Sequence, residues 1–514
     1  MPEPDDQPDA VHPSAVDPSA KQVSPEQVSP DNLSPENLSP EQVSSVEVTL
    51  ERPVAGGRVL GHDSDGRVLL ASGAIAGERV RLSLVRSSER VRIGSVVEVV
   101  EPSPVRVDPP CRFVAMGCGG CDFQHISIDA QAEVRREVIA DALGHIGHFS
   151  SVQIGRIPIE ESVDRVPVGD RTTVRMAVDP RGAPGFRRES SHQILAVGPC
   201  LVAHPLLQAS IARARFPGAH EVRFRASVHR GEVLAVVSGG RSDPAGWSVP
   251  DGVRTVALDQ DRPRGERARA GRGASQHGGS GRGGAARGVA NQDGGADPRG
   301  ADPDGDGGRG TAARPGAGAH GDPDERPGPW IIEEVCGVEL RISARSFFQS
   351  GPLAAGALVA TVARTLDDRD LGRDRLVDLY GGVGLFTAGL RAANAQVVER
   401  SSSAVADARV NTAHLGTKVI RSAVESWRPS KADVVVADPS RKGLGRRGVD
   451  TVAAIGAGRV VLVSCDPAAM ARDLSDLVAA GYGISRIELV DMFPHTHHIE
   501  AVTVLEGPPG GRIN

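Results

Sequence analysis

Apolar and polar residues alternate from residue 46 to 102, in segments such as VEVTLERPVAGGRVLGHDSDGRVLL, with Gly and Asp-Gly turns between the runs. Period-two alternation in short segments predicts strands joined by hairpins, and this many strands in so short a stretch predicts an N-terminal OB-type β-barrel of five strands. The rhythm changes over 103–345. A helical stretch is expected around 127–146, followed by mixed strands in RTTVRMAVD, HQILAV, EVRFRASVHR and EVLAVVSGG, which together make a central α+β domain. From 330 onward short apolar runs (RLVDLY, AQVVE, ADVVVAD, RVVLVS, ISRIELVDM, AVTVLE) alternate with helical ones (AVADARVNTAHL, AAMARDLSDLVAA). That alternation predicts a doubly wound α/β domain over 346–514.

Two stretches carry neither rhythm. Residues 1–45 repeat a polar unit (VSPEQ, VSPDN, LSPEN, LSPEQ), and about 260–328 collapses to Gly, Arg, Asp, Ala and Pro. Neither holds enough apolar side chains to build a core, so the first is expected to be a disordered acidic tail and the second a disordered insertion. A docking motif in the tandem repeat, and RNA contact by the Arg-Gly content of the insertion, are the alternatives to a merely solvated chain.

Composition narrows the class. Hydrophobic residues make up 39% of the 514. There is no apolar run of about 18 residues, which predicts no membrane partner. The N-terminus lacks an apolar signal-peptide core, and a cytoplasmic location is expected. The formal net charge of −6 is not the basic footprint of a nucleic-acid binder, but nine acidic residues against one lysine fall within 1–45. Without that tail the chain is about neutral, so charge neither supports nor excludes RNA.

The chemistry-bearing residues gather at the ends of the predicted strands. DLYGGVGLF closes the first strand of the α/β domain, where glycines let a backbone approach a ligand closely. The dinucleotide pattern G-x-G-x-x-G is absent, and Glu399 ends the next strand about 20 residues on, where a carboxylate can accept ribose hydroxyls. Cys465 follows RVVLVS and precedes a helix that Asp466 can cap and Pro467 can begin. Such a thiol is either an inert buried group or a nucleophile at the ligand edge of the sheet, with the helix dipole favouring the thiolate by ~0.3–1 kcal/mol. Asp438 and Arg441 leave the same edge. DMFPHTHHIE ends in Glu500, a candidate base, and its histidines are expected to make hydrogen bonds rather than bind a metal. Cys111, Cys118 and Cys121 form C-x6-C-x2-C, with Cys200 far downstream; four thiolates suit zinc or an iron–sulfur cluster, and spacing leaves both open.

GGRVLGHDSDGRV, GERV, CGGCDFQH, SFFQS, DLYGGVGLF, ADPSRKG, SCDPAAMARDL and DMFPHTHHIE occur in that order. As a set they resemble the RNA uracil-C5 methyltransferase family, in its iron–sulfur branch with an N-terminal TRAM domain. The resemblance implies a Rossmann-like class I methyltransferase domain and S-adenosylmethionine contacts at Gln349, Tyr380, Glu399 and Asp438. It implies Cys465 as nucleophile, Glu500 as general base, and a [4Fe–4S] cluster on Cys111, Cys118, Cys121 and Cys200. Cys336 matches no motif and is expected to be an inert buried thiol. The implied partner is RNA, 23S rRNA first and tRNA second, acted on by a monomer. A non-catalytic RNA-binding or iron–sulfur protein of the same fold is the competing class; it predicts loss of Cys465 or Glu500, and both are present.

Overall fold

A computed structural model describes residues 45–88, 90–162, 166–189, 191–240, 244–258 and 329–508. The expected insertion at about 260–328, and the expected tail apart from Ser45, lie outside the described residues.

Alternation builds the first element group. Strands β1 (Ser45–Val54), β2 (Arg58–His62), β3 (Val68–Ser72), β4 (Arg79–Ser87) and β5 (Val91–Glu101) close into a barrel in the order β1-β2-β3-β5-β4, sealed by β1 against β4. Every second side chain turns inward, and Val48, Leu50, Val59, Leu69, Ala71, Val80 and Leu82 fill the interior. Closure removes the free strand edges that an open sheet of this size would expose.

The chain then makes α1 (Arg112–Ala115), α2 (Gln131–His145), α3 (Ser151–Ile154) and β6 (Ile159–Glu161). β7 (Thr173–Val178), β8 (Pro184–Arg187), β9 (Ile194–Ala196), α4 (Pro205–Arg213), β10 (Glu221–Ser227), β11 (Glu232–Ser238) and β12 (Val253–Leu258) follow. β7–β12 form one sheet, order β12-β11-β10-β7-β8-β9. Leu207 and Ile211 of α4 pack on Val222, Phe224 and Phe216 to make its core, and Cys111, Cys118, Cys121 and Cys200 join that cluster.

β13 (Trp330–Val335) and β14 (Val338–Ser343) form a hairpin. Its two-residue turn is Cys336-Gly337, with φ of 51° and 72°. Positive φ at both positions is the primed turn that tight hairpins prefer. The expectation that Cys336 is buried is therefore corrected: turn geometry sets it at the exposed tip.

The remaining elements are α5 (Pro352–Arg364), β15 (Leu376–Leu379), α6 (Leu385–Gly389), β16 (Ala395–Glu399), α7 (Ser402–Asn411), β17 (Lys418–Arg421), β18 (Val434–Ala437), α8 (Gly445–Ile455), β19 (Arg459–Ser464), α9 (Pro467–Ala479), β20 (Gly483–Val490) and β21 (Glu500–Glu506). They build the doubly wound sheet in the order β17-β16-β15-β18-β19-β21-β20-β6. The strands β17 to β19 are parallel, and β21 runs antiparallel between β19 and β20. Runs such as Val434–Ala437 are buried throughout because helices cover both faces. Ala354, Leu358 and Val362 of α5 and Phe386 of α6 pack one face. Val452 and Ile455 of α8 and Met470, Leu474 and Leu477 of α9 pack the other.

The central segment reaches into this layer. β6 adds a parallel edge strand beside β20, and Val138, Ile139, Ala142 and Leu143 of α2 share a core with Leu379, Val435 and Leu474. The α+β segment is thus welded to the doubly wound sheet by a strand and a helix.

Candidate active site

Strand register assembles the site. Leu379 pairs with Val398 on one side and Ala437 on the other, and Ala437 pairs with Leu462. Tyr380, Glu399, Asp438 and Cys465 therefore leave the same C-terminal edge of four adjacent strands, the ligand edge of an open α/β sheet. Ser464 pairs with Ala501 in the antiparallel neighbour, so Cys465 and Glu500 adjoin across strands roughly 4.7–4.9 Å apart. Two residues 35 positions apart in sequence meet because β21 returns against β19.

Cys465 is held at the mouth of α9. The Asp466 side chain accepts a hydrogen bond from Ala469 N–H (2.8 Å) and Pro467 opens the helix, as the sequence predicts. The thiol is half-buried and lines a cavity of about 60 Å³ with Arg441, His497, His498, Phe123 and the barrel's Gly56 and Gly57. Burial pushes its pKa up to about 12, with Glu500 and Asp438 adding to the rise and Arg441 opposing it. Holding a thiol near 12 rather than 9 disfavours the thiolate by about 4 kcal/mol. That exceeds the ~0.3–1 kcal/mol of a helix terminus. The expectation of a dipole-favoured thiolate is thus overridden in the ligand-free site by burial and two carboxylates.

This has a measurable consequence. Near neutral pH the ionised fraction of Cys465 is about a thousandfold below that of an ordinary thiol. In ligand-free protein, alkylation of Cys465 by iodoacetamide should be slow at pH 7 and still rising above pH 9, while the exposed Cys336 reacts readily. Peptide mapping of the two sites reads this directly. A Cys465 rate already level at pH 7 would contradict it.

Glu500 is buried, and burial, reinforced by Asp438, raises its pKa well above the carboxylate range, against Arg441. Asp438 is pushed up to about 7 by burial and by Asp378. Gln349, buried after β14, donates from Nε2 to Asp438 Oδ2 (3.3 Å). Glu399 accepts from Gly382 N–H (3.2 Å) and Ser401 N–H (2.6 Å). Tyr380, at φ 59°, donates its hydroxyl to Glu425 (3.1 Å); burial and then Glu425 raise its pKa. All six residues expected at the catalytic and methyl-donor sites thus lie at one edge of the sheet.

The sequence reading missed Asp378. Its Oδ2 accepts from Thr387 N–H and Oγ1 (3.2 and 2.8 Å), while Oδ1 is buried without a partner among the described residues. Burial pushes its pKa up to about 6. Next to it, a Cβ on Gly381 would meet Val397 Cγ1 at 2.7 Å and Asp378 Cγ at 3.0 Å, so only glycine leaves this cradle open. The aspartate stands inside the DLYGGVGLF motif, which was the available signal.

The histidines make hydrogen bonds, as expected. His495 N–H donates to Gln131 Oε1 (2.8 Å), and His497 is bonded to Asp122 through its backbone N–H (2.9 Å) and its ring. His498 packs edge-on against Phe493, and burial, His497 and Arg441 lower its pKa to about 3, leaving a neutral ring beside Cys465.

The four clustered cysteines are gathered by the β7–β12 core, and burial raises the pKa of Cys118, Cys200 and, to about 11, Cys121, with neighbouring thiols adding to each rise. Among the described residues no three His, Cys, Asp or Glu side chains stand in an arrangement that could hold a metal ion. Arg171 lies half-buried beside them: burial lowers its pKa, Cys121 and Cys200 oppose that shift, and its buried Nε and Nη2 have no hydrogen-bond partner among the described residues.

Known proteins extend the picture. A profile of the tRNA (uracil-5-)-methyltransferase family matches residues 425–507, which hold Cys465 and Glu500. An uncharacterized RNA methyltransferase of Streptomyces coelicolor is 31% identical over 478 residues, covering 88% of this chain and 91% of its own. The 23S rRNA (uracil(1939)-C(5))-methyltransferase RlmD of Chromohalobacter salexigens is 28% identical, covering 90% of each chain. In fold the protein is similar to the Pyrococcus abyssi tRNA (uracil-54, C5)-methyltransferase crystallised with S-adenosyl-L-homocysteine: TM-score 0.58 at 21% identity, covering 89% of this chain and 100% of that one. With a relative 31% identical matched over nearly its whole length, and Cys465 and Glu500 inside the profiled segment, the chain belongs to the RNA (uracil-C5-)-methyltransferase family.

Proposed function

We propose that the protein forms 5-methyluridine in RNA, with 23S rRNA as substrate and Cys465 as covalent nucleophile. The observation that carries this reading is the Ser464↔Ala501 register, which sets a cysteine and a buried glutamate side by side at the ligand edge. Uracil C5 is a poor nucleophile. Attack by the Cys465 thiolate at C6 forms an S–C6 bond and moves the C5=C6 electron pair into an enolate, which makes C5 nucleophilic. When bound, S-adenosylmethionine would supply the electrophilic methyl group, leaving as S-adenosylhomocysteine, and its sulfonium charge would favour the ionised forms of Cys465 and Glu500. Once C5 carries the methyl group, Glu500 takes the C5 proton, the C5=C6 bond re-forms, and Sγ leaves as thiolate. A carboxylate with a raised pKa is the stronger base for that step. Gln349, Tyr380, Glu399 and Asp438 would hold the methyl donor, a fit supported by the unpartnered Asp378 oxygen and the cradle at Gly381. Phe347, 69% exposed and two positions before Gln349 in the chain, offers a ring for a base to stack on.

The RlmD relative, matched along 90% of both chains, supports the ribosomal substrate. The profile's own description favours tRNA as the second reading. Mapping 5-methyluridine in rRNA and tRNA from a deletion strain decides between them: loss at one 23S position is expected, loss in tRNA selects the second reading, and no loss anywhere contradicts both.

We also propose a [4Fe–4S] cluster on Cys111, Cys118, Cys121 and Cys200, whose thiols share one core and raise one another's pKa but would have to draw closer than they stand here to become a ligand set. The all-sulfur donor set and the buried, unpartnered nitrogens of Arg171 suit an anionic thiolate cluster. Anaerobically purified protein should be brown and contain about four irons per chain; colourless protein carrying zinc would overturn the assignment.

A further inference from the structure

The segment that delivers Glu500 is irregular from Asp491 to Ile499. Its shape is therefore imposed by what it packs against. Two elements of the central segment grip it. Buried Arg135 of α2 pairs with Asp491 (3.0 Å) and donates to the carbonyls of Phe493 and Thr496 (both 3.3 Å). The cysteine loop makes the second grip: Phe123 N–H donates to the His495 carbonyl (3.0 Å), and Asp122 accepts from His497 N–H (2.9 Å) while its other oxygen meets the His497 ring. A third element closes on the same point. Gly57, in the turn between β1 and β2, sits so near that a Cβ there would meet Asp122 Oδ2 at 2.7 Å and His497 Cβ at 2.9 Å. Barrel, cysteine loop and catalytic segment thus meet where Asp122 holds His497, three residues before Glu500, and Gly57 and His497 both line the cavity that holds Cys465.

We infer that Asp122 is a positioning residue of the methyl-transfer site: by fixing His497 it sets the placement of Glu500 against Cys465, with Gly57 as the steric stop from the barrel. The inference rests on the uracil-methylation reading above. Asp122 touches no reacting atom, so its loss acts on the chemical step and spares methyl-donor binding, whose residues lie on other strands. A displacement of about an ångström in a catalytic group costs on the order of 10²-fold in rate.

The test uses the full chain with substrate RNA and S-adenosylmethionine. Asp122→Ala should lower kcat on the order of 10²-fold, with KM for RNA and the Kd for S-adenosylhomocysteine within about twofold of the parent. Asp122→Asn keeps an oxygen for His497 N–H and should restore kcat to within about threefold of the parent. Gly57→Ala presses on the same junction from the barrel and should lower kcat about tenfold with the same KM; it decides the matter if Asp122→Ala does not fold. The inference is overturned if Asp122→Ala keeps kcat within threefold, if cofactor affinity falls in parallel with kcat, or if Asp122→Asn is as impaired as the alanine variant. Absence of 5-methyluridine formation by the parent protein overturns the functional reading instead, which separates the two failures.

Discussion

Cys465→Ala protein is expected to bind S-adenosylhomocysteine normally and to form 5-methyluridine at least ~10⁴-fold more slowly than the parent, because the route through the C6 adduct is lost outright. The site offers no second thiol to take over. Cys111, Cys118, Cys121 and Cys200 belong to the β7–β12 core, and Cys336 stands at the tip of the β13–β14 turn. Stability should change little. Cys465 is half-buried at the end of β19, and the helix that follows keeps its Asp466 cap and its Pro467 start. Comparing single-turnover methylation with cofactor affinity separates loss of chemistry from loss of fold; a variant that still methylates within tenfold of the parent would remove the covalent route.

Glu500→Gln should give the opposite phenotype, arrest after the adduct rather than before it. The amide has nearly the same shape and stays uncharged in the buried position, so packing is retained. It cannot take the C5 proton. Turnover should fall by ~10²–10⁴-fold, and protein–RNA complexes resistant to denaturation should accumulate on ordinary RNA in the presence of the methyl donor. The pH dependence follows from the direction of the shift. Glu500 in the parent is held neutral well above the usual carboxylate range, so proton removal is lost as pH falls through that raised value. The acidic limb of kcat/KM, which reports the free enzyme, should therefore lie above the ordinary carboxylate range in the parent and vanish in Glu500→Gln. A variant that turns over at the parental rate with no trapped complex would assign the proton to another group.

Much of this was legible in the chain. β19, Cys465 and α9 could be read from RVVLVSCDPAAM, because an apolar run, a capping Asp and a first-turn Pro are local signals. The barrel was legible for the same reason: alternation and glycine turns are written residue by residue. The charge state of Cys465 was not. It depends on Glu500 and Asp438, which strand order brings to the thiol from 35 residues ahead and 27 behind. The roles of α2 and β6 were hidden as well. α2 reads as a helix, yet nothing in its sequence says that its apolar face lies on the doubly wound sheet; β6, at three residues, is too short for any periodicity. Cys336 was misplaced because a lone thiol reads as apolar, whereas the Cys-Gly pair between two apolar runs signals a tight turn. Asp122 lay in view within CGGCDFQH, but its partner His497 is 375 positions away.

One measurement tests the covalent role proposed for Cys465 most directly. Full-length protein is incubated with S-adenosylmethionine and the target RNA carrying 5-fluorouridine at the methylated position, where fluorine replaces the proton whose removal is proposed for Glu500. The complex is then digested and the modified peptide identified by mass spectrometry. The predicted result is a stable adduct of methylated 5-fluorouridine on Cys465 alone, in the peptide containing Ser464 and Asp466. Methylation of the normal RNA with no adduct on the fluorinated one, or an adduct on another cysteine, would contradict it.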